Sequence, residues 1–192
     1  IIYPHALQSM LYWQLQNVDN MVVGRVTPIA ADRVMVRVAL LRVYGKHVVF
    51  DQVFRIKRKQ LRRLAHHISD MVFKAILGIP GNFSTKIAFV VVKGQGAHVD
   101  YSLEVADSDG VGVRAILHSK EPLMSPTWSP DGKQLAYVSF EHKHSQIYRQ
   151  TLATGQRELI SHFPGINGAP AFSPDGQQLA IVERIKWRLS LI

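Results

Sequence analysis

The spacing of apolar positions changes character several times along the chain. Ala6, Leu7, Met10, Leu11 and the stretch from Gln14 to Val18 have helical spacing and predict the end of an amphipathic helix. Asn17-Val18-Asp19-Asn20 supplies turn residues, and Met21 to Thr27 reads as a short apolar strand ended by Pro28. From Arg33 to Val43 the pattern alternates, with Val34, Val36, Val38 and Leu40 on one side and Arg33, Arg37 and Ala39 on the other. After a Tyr44-Gly45-Lys46 turn, Val48, Phe50, Phe54 and Ile56 share a face of the next strand. Such period-two alternation predicts an antiparallel sheet with one packed side. Between Lys59 and Leu77 the period lengthens: Leu61, Leu64, Ala65, Ile68, Val72 and Ile76 recur at steps of three and four, a helical stripe. Gly78 stands where a left-handed terminating residue is wanted, and Pro80 prevents continuation. Residues 1–82 are therefore expected to form an α+β domain, an antiparallel sheet covered by a helix. One covering helix makes it thin, so a further strand and helix are expected upstream.

The last 110 residues repeat. Thr127-Trp128-Ser129-Pro130-Asp131-Gly132-Lys133-Gln134-Leu135-Ala136-Tyr137-Val138 recurs as Ala171-Phe172-Ser173-Pro174-Asp175-Gly176-Gln177-Gln178-Leu179-Ala180-Ile181-Val182, 44 residues later. A second turn, Asp107-Ser108-Asp109-Gly110, is echoed at Leu152-Ala153-Thr154-Gly155 with an offset of 45. A period of about 40–45 residues with short strands marks a β-propeller blade. In Ser-Pro-Asp-Gly, proline presets the first central turn position, aspartate tolerates the second and glycine takes the left-handed one. Trp128 or Phe172 before the turn, and the apolar run after it, are expected to pack one blade on the next. The pattern divides residues 83–192 into a three-stranded blade at 83–122, a complete blade at 123–165 and an incomplete blade at 166–192. About two and a half blades fall short of the roughly four to eight that close a ring. Their open edges and apolar faces predict poor solubility or oligomerisation of the chain by itself.

Composition removes several classes of function. There is no cysteine, which excludes disulfides, thiolate metal sites and cysteine nucleophiles. The longest apolar run, Ile87 to Val92, is far shorter than the roughly 20 residues that cross a bilayer, so no membrane insertion is expected. The chain starts at Ile1 without a Met or a charged leader, which fits either a removed targeting segment or an internal piece of a longer protein. The net charge of +9 is uneven: residues 1–82 hold 12 Lys and Arg against 4 Asp and Glu, and residues 83–192 hold 11 against 10. Much of the surplus lies at Arg55, Lys57, Arg58, Lys59, Arg62 and Arg63. No aromatic residues interleave these cations and no groove-entering motif accompanies them, so no nucleic-acid partner is expected. A solvated basic face is expected, with attraction to an acidic partner or membrane surface left open.

Catalytic motifs are absent: there is no Gly-x-Ser-x-Gly elbow, no His-Glu-x-x-His and no Gly-rich phosphate loop. Asp107-Ser108-Asp109-Gly110 has too few alternating acidic residues for a calcium loop and reads as a hairpin turn. His66-His67 and the pair His142 and His144 lack a third convergent ligand. Neither a metal nor any other cofactor is expected. Trp13, Trp128 and Phe172 read as packing anchors.

These segments together resemble the TolB family, periplasmic proteins of the bacterial Tol-Pal envelope system. The resemblance rests on Asn17 to Pro28, Leu61-Arg62, Ala65-His66, Ser69-Asp70, Val72-Phe73 and Leu77-Gly78. The runs Leu123 to Gly132 and Asn167 to Gly176 carry it further, over residues 13–182 in unbroken order. It implies an α/β domain followed by a propeller whose channel mouth binds a Pal-like peptidoglycan-associated lipoprotein. The loops implied to line that mouth contain Met124, Ser125, Ile166, Asn167, Gly168 and Ala169. A partner-contacting histidine of the family falls at Ile166, where this chain is aliphatic. The family's extreme N-terminus engages TolA, and this sequence does not match that segment, so no TolA contact follows. Arg184 to Ile192 departs from the blade pattern and fits either a divergent strand or an unrelated end. The expected function is a non-enzymatic, periplasmic protein–protein scaffold supporting outer-membrane integrity and cell division. The alternative is the propeller portion of a prolyl-oligopeptidase-like serine peptidase, with its catalytic domain elsewhere.

Overall fold

The computed structural model describes residues 10–96, 98–184 and 188–191, in two compact units that divide between Thr85 and Lys86. In the first unit a short helix α1 (Met10–Leu15) precedes strands β1 (Asn20–Pro28), β2 (Arg33–Arg42) and β3 (His47–Lys57). They form an antiparallel sheet in the order β1-β2-β3. A 3-10 turn at Arg58–Gln60 leads into helix α2 (Leu61–Leu77).

Alternation decides which face α2 covers. Val34 and Val36 of β2, with Phe54 and Ile56 of β3, meet Leu61, Leu64 and Ile68 of the helix. The expected one-sided pattern gives way at Ala39-Leu40-Leu41, each 1% exposed. Ala39 and Leu41 pack with Met21 and Val23 on the other face, so the far half of the central strand is buried on both sides. Gly78 ends α2 at φ 77° and donates its N–H to the Lys74 carbonyl at 2.9 Å, as the sequence predicts.

The second unit consists of three antiparallel sheets. β4 (Lys86–Gln95), β5 (His98–Asp107) and β6 (Arg114–Ser119) form the first, in the order β4-β5-β6. β7 (Leu123–Trp128), β8 (Gln134–Ser139), β9 (Gln146–Thr151) and β10 (Arg157–Ser161) form the second, in the order β10-β9-β8-β7. β11 (Ile166–Phe172), β12 (Leu179–Arg184) and β13 (Arg188–Leu191) form the third. β13 runs antiparallel to β12, with Ala180 opposite Leu191 and Glu183 opposite Arg188. The tail thus supplies a strand whose blade pattern the sequence had not revealed; Ile185, Lys186, Trp187 and Ile192 lie outside the described residues.

Strand β8 shows how the sheets stack. Leu135 and Tyr137 point to one side and join Leu103, Val105 and Leu123, with Trp128 and Tyr148 packed alongside. Ala136 and Val138 point to the other and join Ile147, Leu179 and Ile181, with Phe172 alongside. A strand sandwiched between two neighbouring sheets reads as a continuous apolar run, which is the Leu-Ala-Tyr-Val of the repeat.

The repeated turn is built the same way twice. The Ser129 hydroxyl donates to Asp131 Oδ1 at 2.7 Å and accepts the Gln134 N–H at 2.9 Å. Asp131 Oδ1 also accepts the Lys133 N–H at 3.0 Å. Ser173, Asp175, Gln177 and Gln178 reproduce these bonds at 2.5, 2.9 and 3.0 Å. Gly132 and Gly176 close the turns at φ 68° and 72°. Hydrogen bonds from the serine hydroxyls, and then from the backbone, hold both carboxyls below their ordinary range.

Candidate partner-binding site

Among the edge strands of the second unit, β7 lies between β4 and β11 and contacts both. The expected mouth residues lie at the starts of two of them. β7 pairs with β8 regularly at Leu123 and Met124, then slips before Thr127. β11 pairs with β12 from Ile166 to Gly168, then slips before Ala171. Each slip is a β-bulge, an extra residue that bends the strand and re-aims its side chains. Ser125 lies inside one bulge at φ 51° and Ala169 inside the other at φ 47°, each immediately before a proline. Left-handed backbone in non-glycine residues costs about 1–2 kcal/mol each, and surrounding structure must enforce it.

Met124, directly before its bulge, and Ile166, which opens β11 opposite Arg184, are both exposed, at 51% and 49%. Ser125 and Ala169 are exposed as well, and Gly168 is half-buried. Met124, Ser125 and Pro126 border a groove of about 730 Å³ that continues over Phe89, Val92 and Tyr101. Those last three residues belong to the first sheet and have no repeat signature that would have singled them out.

Asn167 behaves differently from its neighbours. It is 1% exposed, and its side chain is committed inside the protein. Its Nδ2 donates to the carbonyls of Ser145 and Phe163 at 2.9 and 2.8 Å. Its Oδ1 accepts from the Ser161 hydroxyl at 2.5 Å and the Phe163 N–H at 3.1 Å. The Asn167 N–H donates to Ser145 Oγ at 2.8 Å. The side chain therefore shapes the Phe163–Ile166 loop and does not face outward with Ile166. The repeat register carries the signal: Asn167 occupies the position of Leu123, which is 3% exposed.

Behind the site, the second sheet is braced by a polar cluster that sequence reading did not detect. Tyr137 donates to Gln150 Oε1 at 3.0 Å and accepts the Arg157 Nε–H at 2.8 Å. Arg157 forks onto Glu141 at 3.1 and 2.9 Å and lies 4.3 Å over the Tyr148 ring. Gln150 Nε2 reaches the Ile116 carbonyl of the neighbouring sheet at 3.2 Å. Burial pushes the Tyr137 phenol up to about 12, against the opposing pull of Arg157. Asp107-Ser108-Asp109-Gly110 is a turn in which the Gly110 N–H reaches the Asp107 carbonyl at 2.8 Å. The His144 ring Nδ1 lies 2.8 Å from the His142 carbonyl.

Successive antiparallel sheets that bury their faces on one another, with one edge strand of each side by side, define the β-propeller class. Residues 73–187 match the TolB beta propeller domain family, and the chain belongs to that family. The chain is 49% identical to the Tol-Pal system protein TolB of Coxiella burnetii over 82% of its own length and 37% of that protein's. Against the Tol-Pal system protein TolB of Methylococcus capsulatus the identity is 47%, with the same two coverages. The crystal structure of TolB from Acinetobacter baumannii superposes with a TM-score of 0.84 at 35% identity, covering 95% of this chain and 45% of that one. The chain thus spans little more than a third of the length of the curated relatives it matches, and the resemblance read from its sequence holds.

Proposed function

We propose that the chain acts as a non-enzymatic binding scaffold of the Tol-Pal system, in the periplasm, where it holds a Pal-like peptidoglycan-associated lipoprotein. On this reading it supports outer-membrane integrity and cell division through protein–protein contacts alone. The observation that carries the reading is the pair of bulged strand starts. Exposed Met124 and Ile166 stand at these strand starts on a sheet scaffold, in a chain whose relatives are Tol-Pal proteins. Loops held on such a scaffold are where binding residues concentrate. Met124, Ser125, Ile166, Gly168 and Ala169 make the contact, and Asn167 fixes the loop that presents Ile166. Domain roles follow: residues 83–192 bind, and residues 1–82 form the separate helix-covered sheet domain.

Titration calorimetry of the 192-residue chain with the soluble domain of a Pal-like lipoprotein tests the proposal. Met124→Glu, which puts a charge at a proposed apolar contact, is expected to weaken binding by roughly tenfold or more. Ile166→His restores the polar handle implied by the family resemblance and is expected to strengthen it. Absence of binding, or affinities indifferent to both substitutions, overturns the proposal.

A further inference from the structure

The first unit carries an arrangement of charge that its own folding does not use. Residues 34, 36, 54 and 56 face α2, so the odd-numbered positions of β2 and β3 lie on the opposite side of the sheet. That side holds Arg33, Arg37, Arg55 and Lys57, joined by Arg25 of β1. Register places Arg25 directly opposite Arg37, and Arg33 directly opposite Lys57. Like charges in directly facing cross-strand positions are destabilising. The carboxylate on this side is Asp51, and it is forked onto Arg37. Arg25, Arg33, Arg55 and Lys57 are exposed and have no ion pair among the described residues.

The charge continues at the end of the sheet. Exposed Arg58, Lys59 and Arg63 follow Lys57 into a helix whose first turn holds no acidic residue, the opposite of what the helix dipole favours. Beside them the β1–β2 connection, Ile29-Ala30-Ala31-Asp32, is exposed, with Ile29 at 46%. Ala31, Asp32, Lys57, Arg58 and Lys59 line one concavity there.

We propose that this face docks on the surface of a bilayer rich in anionic phospholipids, with its cations against the headgroup phosphates and the Ile29 tip dipping among the acyl-chain ends. Charge complementarity fixes the sign of the partner. The exposed apolar tip set among the cations selects a membrane surface over a fully polar polyanion, because an interfacial element combines basic charge with a shallow apolar insertion. The sheet face bears no aromatic platform for bases, which disfavours single-stranded nucleic acid. This docking face is independent of the Met124–Ile166 site and does not rest on the Pal reading.

Flotation of the 192-residue chain with vesicles separates binding from aggregation, since only vesicle-bound protein rises. The chain is expected to float with phosphatidylcholine vesicles containing phosphatidylglycerol, to stay down with phosphatidylcholine alone, and to release in high salt. The triple variant Arg33→Gln, Arg55→Gln, Lys57→Gln is expected to lose binding by more than tenfold, at about fivefold per charge near the surface. Ile29→Ser is expected to weaken flotation while leaving binding to soluble poly-glutamate unchanged. These side chains are exposed, and an unchanged circular-dichroism melt identifies the variants as folded. Equal flotation with neutral vesicles, no flotation with anionic ones, or full binding by the triple variant overturns the proposal. Binding to poly-glutamate without flotation overturns it as well and identifies an acidic protein partner instead.

Discussion

Ser125 and Ala169 stand 44 residues apart and adopt the same left-handed backbone, φ 51° and 47°, each one residue ahead of a proline and inside a β-bulge. The repeat therefore reproduces a strained turn of the main chain as well as a set of side chains. In both copies the residue before the turn, Met124 or Gly168, still pairs regularly with the adjacent strand, at Val138 or Val182. The strain is confined to the point where the strand is redirected. Glycine at either place relieves roughly 1 kcal/mol of left-handed strain but loses a similar amount to unfolded-state entropy, so its net effect is near zero. A β-branched residue adopts the angle only at a steric cost. Ser125→Val is expected to cost about 1–3 kcal/mol in denaturant unfolding, and Ser125→Gly almost nothing. A valine variant as stable as the parent chain would show that the bulge is not enforced.

Asn167 and Ile166 are adjacent but should respond to substitution in opposite ways. Asn167→Ala takes a partner from the Ser145 carbonyl and the Ser161 hydroxyl in a buried place, at about 1–3 kcal/mol for each group left unsatisfied, and frees the exposed Phe163 backbone. Ile166→Ala removes an exposed side chain and should leave the unfolding midpoint within about 0.5 kcal/mol of the parent. Equal stability of the two variants would contradict the assignment of Asn167 as the loop's internal brace.

How much of this was legible in the sequence depends on what each residue encodes. Gly78, Gly132 and Gly176 announced their left-handed positions because few other residues tolerate them. The Leu-Ala-Tyr-Val run announced a strand packed on both sides. The left-handed angles of Ser125 and Ala169 were not legible, since neither residue type signals them and the following proline argues for extended backbone. Asn167 looked like turn chemistry, although its alignment with buried Leu123 held the information that it points inward. Strand β13 was one of two readings of the tail, left open because Arg184 to Ile192 departs from the residue pattern of the other blade strands. The Tyr137–Arg157–Glu141 cluster joins residues from three segments of the sequence, and only folding brings them together.

Acid should loosen the repeated turns. The folded-state carboxyls of Asp131 and Asp175 lie below their ordinary value of 3.8. A depressed folded value means that the stabilisation is present above the unfolded pKa and is lost as pH falls through the folded one. The melting temperature is therefore expected to fall below about pH 4, and the double variant Asp131→Asn, Asp175→Asn should flatten that part of the profile. An unchanged acid limb in the double variant would contradict this account.

Tyr137 sets the alkaline counterpart. Its phenol, pushed up to about 12 by burial, should stay protonated well past pH 10. A folded value above the unfolded one gives stability that is complete below about pH 10 and is lost as pH rises toward 12. Tyr137→Phe leaves Gln150 Oε1 and the Arg157 Nε–H without their partner, at about 1–3 kcal/mol, and removes one late-ionising group from an ultraviolet titration. A titration in which the parent and the Phe variant ionise identically would contradict it.

Hydrogen–deuterium exchange of the chain, free and with the soluble domain of a Pal-like lipoprotein, tests the central claim most directly. Scaffold binding at the strand mouths predicts added protection at residues 123–126 and 166–170, with the outer strands β9 and β10 unchanged. Protection on the outer strands, or an exchange pattern that the lipoprotein leaves unaltered, would contradict it.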